Sequence, residues 1–336
     1  AEWEAAEAAG GEPPEGTGNG TVDKRTALWL ARGALGLRRL EGRLGGAAVL
    51  HRIEGDLRML ADLLSCGSYR PGVGARLYGT AAELAELGGR ACADTGRHGA
   101  AQRHWLTALR LAHTARDRPL AAVVLGGLSL QAVHTKRPQD ALDMAEAAER
   151  AARKGATPRL RALLAAHRAR ALAALGDGAR CRGALDEAAE SLAAAEEHRD
   201  PPWLRRFGPA ALATHRGLAL LDLGLPDEAR MVLDRALAAL DRNHLRDRAV
   251  CTVAAAMAHT LAGDLARGRA LAEKAGRLCV HYRSPRLAAG LDRVRGLLAE
   301  RMAEERMAEG AAGRADEGGS PVPPDGGGPK VRCPPG

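Results

Sequence analysis

The sequence predicts an all-α protein, a solenoid of repeated helical hairpins. Three observations carry that expectation. Ala, Leu, Arg and Glu, all strong helix formers, dominate the chain. One turn pattern returns at steps close to 40 residues. Small residues stand at fixed offsets from that turn. The chain is 46% hydrophobic but only 2% aromatic, so its core must be alanine and leucine. Such side chains let helices approach closely.

Each segment has its own justification. Residues 1–22 (AEWEAAEAAGGEPPEGTGNGTV) are rich in Gly, Pro and Glu and read as a flexible linker. Residues 23–79 read as an N-terminal helical segment whose helices, with DLRMLADLLSCG (56–67), cap the array. The run GSYRPGVGARLYG (67–79) lacks the G-x-G-x-x-G order and reads as a loop between helices. No stretch carries the alternation of a strand. Five hairpins are expected over 80–283, a capping helix over 284–309, and a disordered Gly- and Pro-rich tail over 310–336.

The hairpin is plainest in GLPDEARMVLDRAL (224–237). Gly224 can end a helix in the left-handed conformation. Pro226 suits the first position of the next helix. Asp227 and Glu228 favour the positive end of its dipole. Ala229, Val232, Leu233, Ala236 and Leu237 then recur on one face. A helix therefore stops at Leu223 and another starts at Pro226. Matching turns are TGRHGAAQRHWLTAL (95–109), TKRPQDALDMAEAAE (135–149), LGDGARCRGALDEAA (175–189), LGLPDEARMVLDRAL (223–237) and AGDLARGRALAEKAG (262–276). Their starts lie 40, 40, 48 and 39 residues apart. Seven residues before the turn residue stand Gly89, Ser129, Ala169, Gly217 and Ala256. Five after it stand Ala101, Ala141, Cys181, Ala229 and Gly268; seven further on stand Ala108, Ala148, Ala188, Ala236 and Ala275.

Charge and chemistry narrow the function classes. The formal charge of +8 comes from arginine, with only five lysines. Those arginines are spread along the chain among acids, so the excess reads as GC-rich codon usage rather than a nucleic-acid surface. Scarce aromatics argue against a base-stacking platform. The six cysteines form no C-x-x-C pair and read as core residues of a reduced, cytoplasmic protein. No apolar run is long enough to cross a membrane. Cys92, His98 and His104 stand six apart, which puts them on different helix faces and makes a poor metal site. His259 reads as a core or interface histidine. There is no P-loop, no H-E-x-x-H and no G-x-S-x-G; nothing asks for an enzyme, a metal or a cofactor.

These hairpins resemble the tetratricopeptide repeat, which carries small residues at the same places. The turn glycine stands as Gly96, Gly176, Gly224 and Gly263, with Lys136 departing. The aromatic of the second helix survives only as Trp105; elsewhere it is Ala145, Leu185, Leu233 and Ala272. The resemblance implies a right-handed superhelical solenoid. Longer blocks, RRLEGRLGG (38–46), residues 74–134, DPPWLRRF (200–207) and SPRLAAGLDRV (284–294), resemble actinobacterial helix-turn-helix (XRE-type) transcriptional regulators with a tetratricopeptide C-terminal region. This implies a peptide- or protein-binding sensor region, with DNA contacted only through a helix-turn-helix that residues 1–336 do not contain. The chain opens without Met, which suits a fragment or a processed chain. A stand-alone tetratricopeptide adaptor is the alternative. A homodimer through the first helices stays open, because such regulators act on paired half-sites.

In tetratricopeptide arrays the first helices line a concave, ligand-binding face. Transferring those groove positions gives Arg90 and Asp94, then His134, then His167 and Arg170, then His215 and Asp222. The fifth repeat is expected to be mostly apolar there, with Val253 and Met257. Arg and His could clamp a peptide carboxylate or acidic side chains.

Overall fold

The computed structural model describes residues 15–317, apart from 19 and 283. Residues 1–14 of the expected linker, most of the expected tail, and Cys333 lie outside the described residues. The α-helices are α1 (Lys24–Leu44), α2 (Gly46–Cys66), α3 (Pro71–Asp94), α4 (His98–Thr114), α5 (Arg118–His134), α6 (Pro138–Ala152) and α7 (Pro158–Ala174). They continue as α8 (Gly178–Ala193), α9 (Pro209–Asp222), α10 (Pro226–Ala239), α11 (Leu245–Leu261), α12 (Leu265–Tyr282) and α13 (Pro285–Glu317). From α3 to α12 they pair as five successive antiparallel hairpins, an all-α solenoid. α1 and α2 pack on α3 at one end, and α13 covers α11 and α12 at the other.

The turns follow from backbone chemistry. Gly96, Gly176, Gly224 and Gly263 all adopt positive φ, the left-handed conformation that carries no Cβ penalty in glycine. α9 ends against Leu223, and α10 opens on Pro226. Asp117, Thr157 and Asp177 each accept a backbone N–H three residues on, capping α5, α7 and α8. Lys136 holds the same turn at φ 60° with a side chain attached. Lys136→Gly should therefore raise stability by about 0.5–1 kcal/mol, since a left-handed L-residue costs roughly 1–2 kcal/mol and glycine's extra unfolded-state entropy returns part of it. A lower melting temperature in the variant would contradict this.

All fifteen small positions of the repeat register are buried. A Cβ on Gly89 would overlap the Trp105 indole, and one on Gly217 would overlap Leu233. In the first and fourth hairpins the glycine of the first helix thus makes room for the bulky residue of the second helix.

Three features depart from the expectation. Residues Gly67–Tyr69, read as a loop, form β3, which pairs with β1 (Gly16–Thr17) and β2 (Gly20–Thr21). These two- and three-residue strands are backbone pairings, too short to leave alternation in the sequence. α3 begins at Pro71 and runs through the boundary expected at 79/80, and α13 runs on to Glu317, past the end expected at 309 and into the stretch read as a disordered tail. Most consequential, the two ends of the array meet: α1 packs on α11, and α13 touches α3. Tyr282 donates its hydroxyl proton to the carbonyl of Gly42, and Ser284 Oγ donates to the carbonyl of Asp94 at 2.9 Å. The concave face is closed into a ring.

Candidate ligand cavity

The ring is locked by charge. Asp94 is the last residue of α3, buried at 6% exposure. Arg246, near the start of α11, grips it with both fork arms, Nε to Oδ2 at 2.6 Å and Nη2 to Oδ1 at 3.0 Å. Arg286, near the start of α13, adds Nη2 at 2.7 Å from Oδ1. Burial alone would raise the Asp94 pKa; Arg246 and Arg286 overcome it and hold the carboxyl well below the usual range. On α1, Glu41 is wholly buried between Arg90 Nη2 (2.8 Å) and Arg246 Nε (3.3 Å). Glu86 is also buried, 2.6 Å from Arg38 Nη2. Carboxylates and arginines from α1, α3, α11 and α13 thus form one network.

Inside the ring lies a cavity of about 260 Å³, near the small end of ligand sites, which run roughly 300–1,000 Å³. Five of the seven residues drawn from the sequence line it: Arg90, Asp94, His134, His167 and His215. Arg170 and Asp222 do not. They pair with each other at 3.0 Å, joining α7 to α9 beside the cavity. The fifth repeat corrects the expectation. It offers Arg246 and Asp247 rather than Val253 and Met257, because the ring closes at the first turn of α11. His98, set aside as part of a poor metal site, opens α4, lines the cavity and has its carbonyl bonded by Gln131 Nε2 at 3.1 Å. Cys92 is buried in the core as expected. His259 is buried between Asp234 (3.1 Å) and Asp264 (3.0 Å), away from the cavity lining.

Sequence reasoning missed the aromatic wall. Trp105, Trp203 and Phe207 line the cavity, although aromatic residues make up only 2% of the chain. Trp105 is slotted between glycines of two helices, Gly89 of α3 and Gly127 of α5. Trp203, Arg206 and Phe207 come from the connection between α8 and α9. That connection is the source of the 48-residue step in the repeat register, a signal that could have pointed here. It is fixed by buried Asp200, which accepts from Thr157 Oγ1 and Arg159 Nε, both at 2.6 Å. Arg159 Nη1 also donates to the Phe207 carbonyl at 2.6 Å, and Arg206 Nη2 meets Asp247 Oδ2 at 2.9 Å.

The imidazoles of His167 and His215 lie 5.4 Å apart, and Phe207 meets His215 edge-on at 6.0 Å. Burial, with Arg170 nearby, pushes His167 down to about 4. Burial, with His167 and Arg170, holds His215 well below its ordinary value. Both are neutral at pH 7. Among the described residues, no three His, Cys, Asp or Glu side chains gather as metal ligands, and no helix is long and apolar enough to cross a membrane.

No protein-family model and no curated protein matches the chain. A solved structure does: a Rap protein complexed with competence and sporulation factor. The alignment covers 88% of this chain and 93% of that one, with a TM-score of 0.53 and 12% identity. The likeness is one of fold: both are tetratricopeptide-like helical-repeat solenoids.

Proposed function

We propose that this chain is the ligand-reading region of a transcriptional regulator, which takes a peptide or a segment of a protein inside the ring of its solenoid. DNA contact belongs to a helix-turn-helix domain elsewhere in the regulator. The observation that carries this reading is the cavity inside the ring, built jointly by first helices of the repeats, the α8–α9 connection, α1 and α13. The similar Rap protein was crystallised with competence and sporulation factor, a precedent for a ligand on this fold.

The ring supplies a route for the signal. α1 touches the cavity network through Glu41 and Arg38. A ligand that favours one arrangement of that network shifts the position of α1, and with it whatever precedes the chain.

The test is a thermal-shift screen of the purified chain against a pool of short synthetic peptides, with calorimetry on any that act. At least one peptide should raise the melting temperature with saturable binding. No shift from any peptide at millimolar concentration would remove this reading. Charge reversal at Arg90 and Arg170 is a poor probe. Both sit in ion pairs with a strongly buried member, so reversal disturbs the fold itself.

A further inference from the structure

The charged groups of the cavity wall are already paired. Its five arginines each lie between 2.6 and 2.9 Å from a carboxylate: Arg38 from Glu86, Arg90 from Glu41, Arg206 from Asp247, and Arg246 and Arg286 from Asp94. The lining carboxylates, Glu86, Asp94 and Asp247, are the other halves of those pairs. His134 Nε2 lies 2.9 Å from Arg286 Nη1; a guanidinium only donates, so the imidazole accepts as a neutral ring. Trp105 Nε1 and His167 Nδ1, which lack partners, are packed against Gly89 and Gly126, where a Cβ would overlap them. A charged ligand therefore finds no free counter-charge on this wall. It would give up its water and have to break an existing pair to replace it.

Most of the accessible wall is apolar. Val123, Gly127 and Leu130 share one face of α5. Leu163 of α7, Ala211 of α9 and Trp203 of the α8–α9 connection join them. All six are half-buried, so each keeps some surface open. Removing such surface from water is favourable in proportion to its area. Trp203 adds a ring that another ring can meet edge-on or offset. Size sets the rest. A cavity of about 150 Å³ holds one benzene ring. The volume here, about 260 Å³, has room for one ring carrying a second ring or a short chain.

We infer that the cavity takes an uncharged hydrophobic group of one or two rings, laid on Val123, Leu130, Leu163 and Trp203, and that it rejects charged groups of the same size. Two sources carry this chemistry: an aromatic side chain of a peptide, or a free neutral small molecule. The inference rests on the reading of the cavity as the ligand site and names the ligand class.

The experiment is calorimetry on the full chain with four probes: indole, N-acetyltryptophanamide, indole-3-acetate and tryptamine. At least one of the two neutral probes should bind, with the acid and the amine at least tenfold weaker. Trp203→Ala should weaken the neutral probe about tenfold; Leu130→Ala is the second variant, should the first fail to fold. N-acetyltryptophanamide binding within tenfold of indole, or more tightly, identifies a peptide side chain as the source. Indole binding with N-acetyltryptophanamide more than tenfold weaker identifies a free small molecule; it supports this inference while removing the peptide reading. A charged probe that binds as well as the neutral ones overturns the inference and leaves the cavity as the ligand site. Unchanged affinity in both folded variants overturns it too, since the ligand then does not lie on this wall. No binding by any probe at millimolar concentration overturns the inference, and the peptide pool described above decides the broader reading separately.

Discussion

Asp94→Ala should be among the most destabilising single substitutions in the chain. It removes the carboxylate that Arg246 and Arg286 share and leaves both guanidiniums without their central partner in a buried setting. Breaking a buried ion pair by deleting one member costs about 3–5 kcal/mol, because the stranded charge has lost its water and its counter-ion. The loss joins elements far apart in sequence, so it should loosen the ring as well as lower the unfolding midpoint. Urea denaturation of both proteins checks this. A change below about 1 kcal/mol would mean that Asp94 is solvated and the ring open. The wild-type contribution also has a pH signature. The folded-state pKa of Asp94 is depressed, so its stabilisation is complete above the unfolded value of about 3.9. It is lost as pH falls further, through the lower folded value.

His167 gives the second large effect, in a different window. Its folded pKa is about 4, against about 6.5 unfolded. Between those values the unfolded chain binds a proton that the folded chain refuses. Stability is therefore full above about pH 6.5 and falls toward pH 4, by up to about 1.4 kcal/mol per pH unit. The sum is about 3 kcal/mol for this one side chain. His215 acts in the same direction. Glu83 opposes them: burial pushes it up to about 7, so it stabilises the folded state as pH falls below that. The clean reading is therefore the difference between wild type and His167→Gln. The variant should lose less stability between pH 7 and 5. Parallel curves would show that His167 is accessible to water and protons.

Much of the scaffold was legible because its cause is local. Gly96, Gly176, Gly224 and Gly263 announce their turns through a conformation few other residues accept. The fifteen small positions announce the helix crossings because steric exclusion acts at fixed offsets within one hairpin. The ring was not legible. Arg246 and Asp94 are 152 residues apart, and no local pattern marks either as a partner. Arg246 even stands in the repeat whose groove positions looked apolar. The same limit explains the cavity. Five of its residues follow from the repeat register, since they sit on first helices at repeating positions. Trp203, Arg206 and Phe207 do not, since they belong to a connection outside any repeat. Trp105 was noticed as the surviving aromatic of its second helix, but not as a cavity wall. Glycines on two separate helices, Gly89 and Gly127, create its slot. The little sheet at Gly67–Tyr69 escaped for a further reason: its pairing is carried by the backbone, which every sequence possesses.

The claim on which the rest stands is that the two ends of the solenoid meet around the cavity. A double-mutant cycle between Asp94 and Arg246 tests it most directly, with Asp94→Ala, Arg246→Ala and the double variant compared by urea denaturation. Closure predicts that the second substitution costs far less once the first is made, with a coupling of about 2 kcal/mol or more. Additive losses, within about 0.5 kcal/mol, would mean that the two residues do not touch in solution and that the groove stands open.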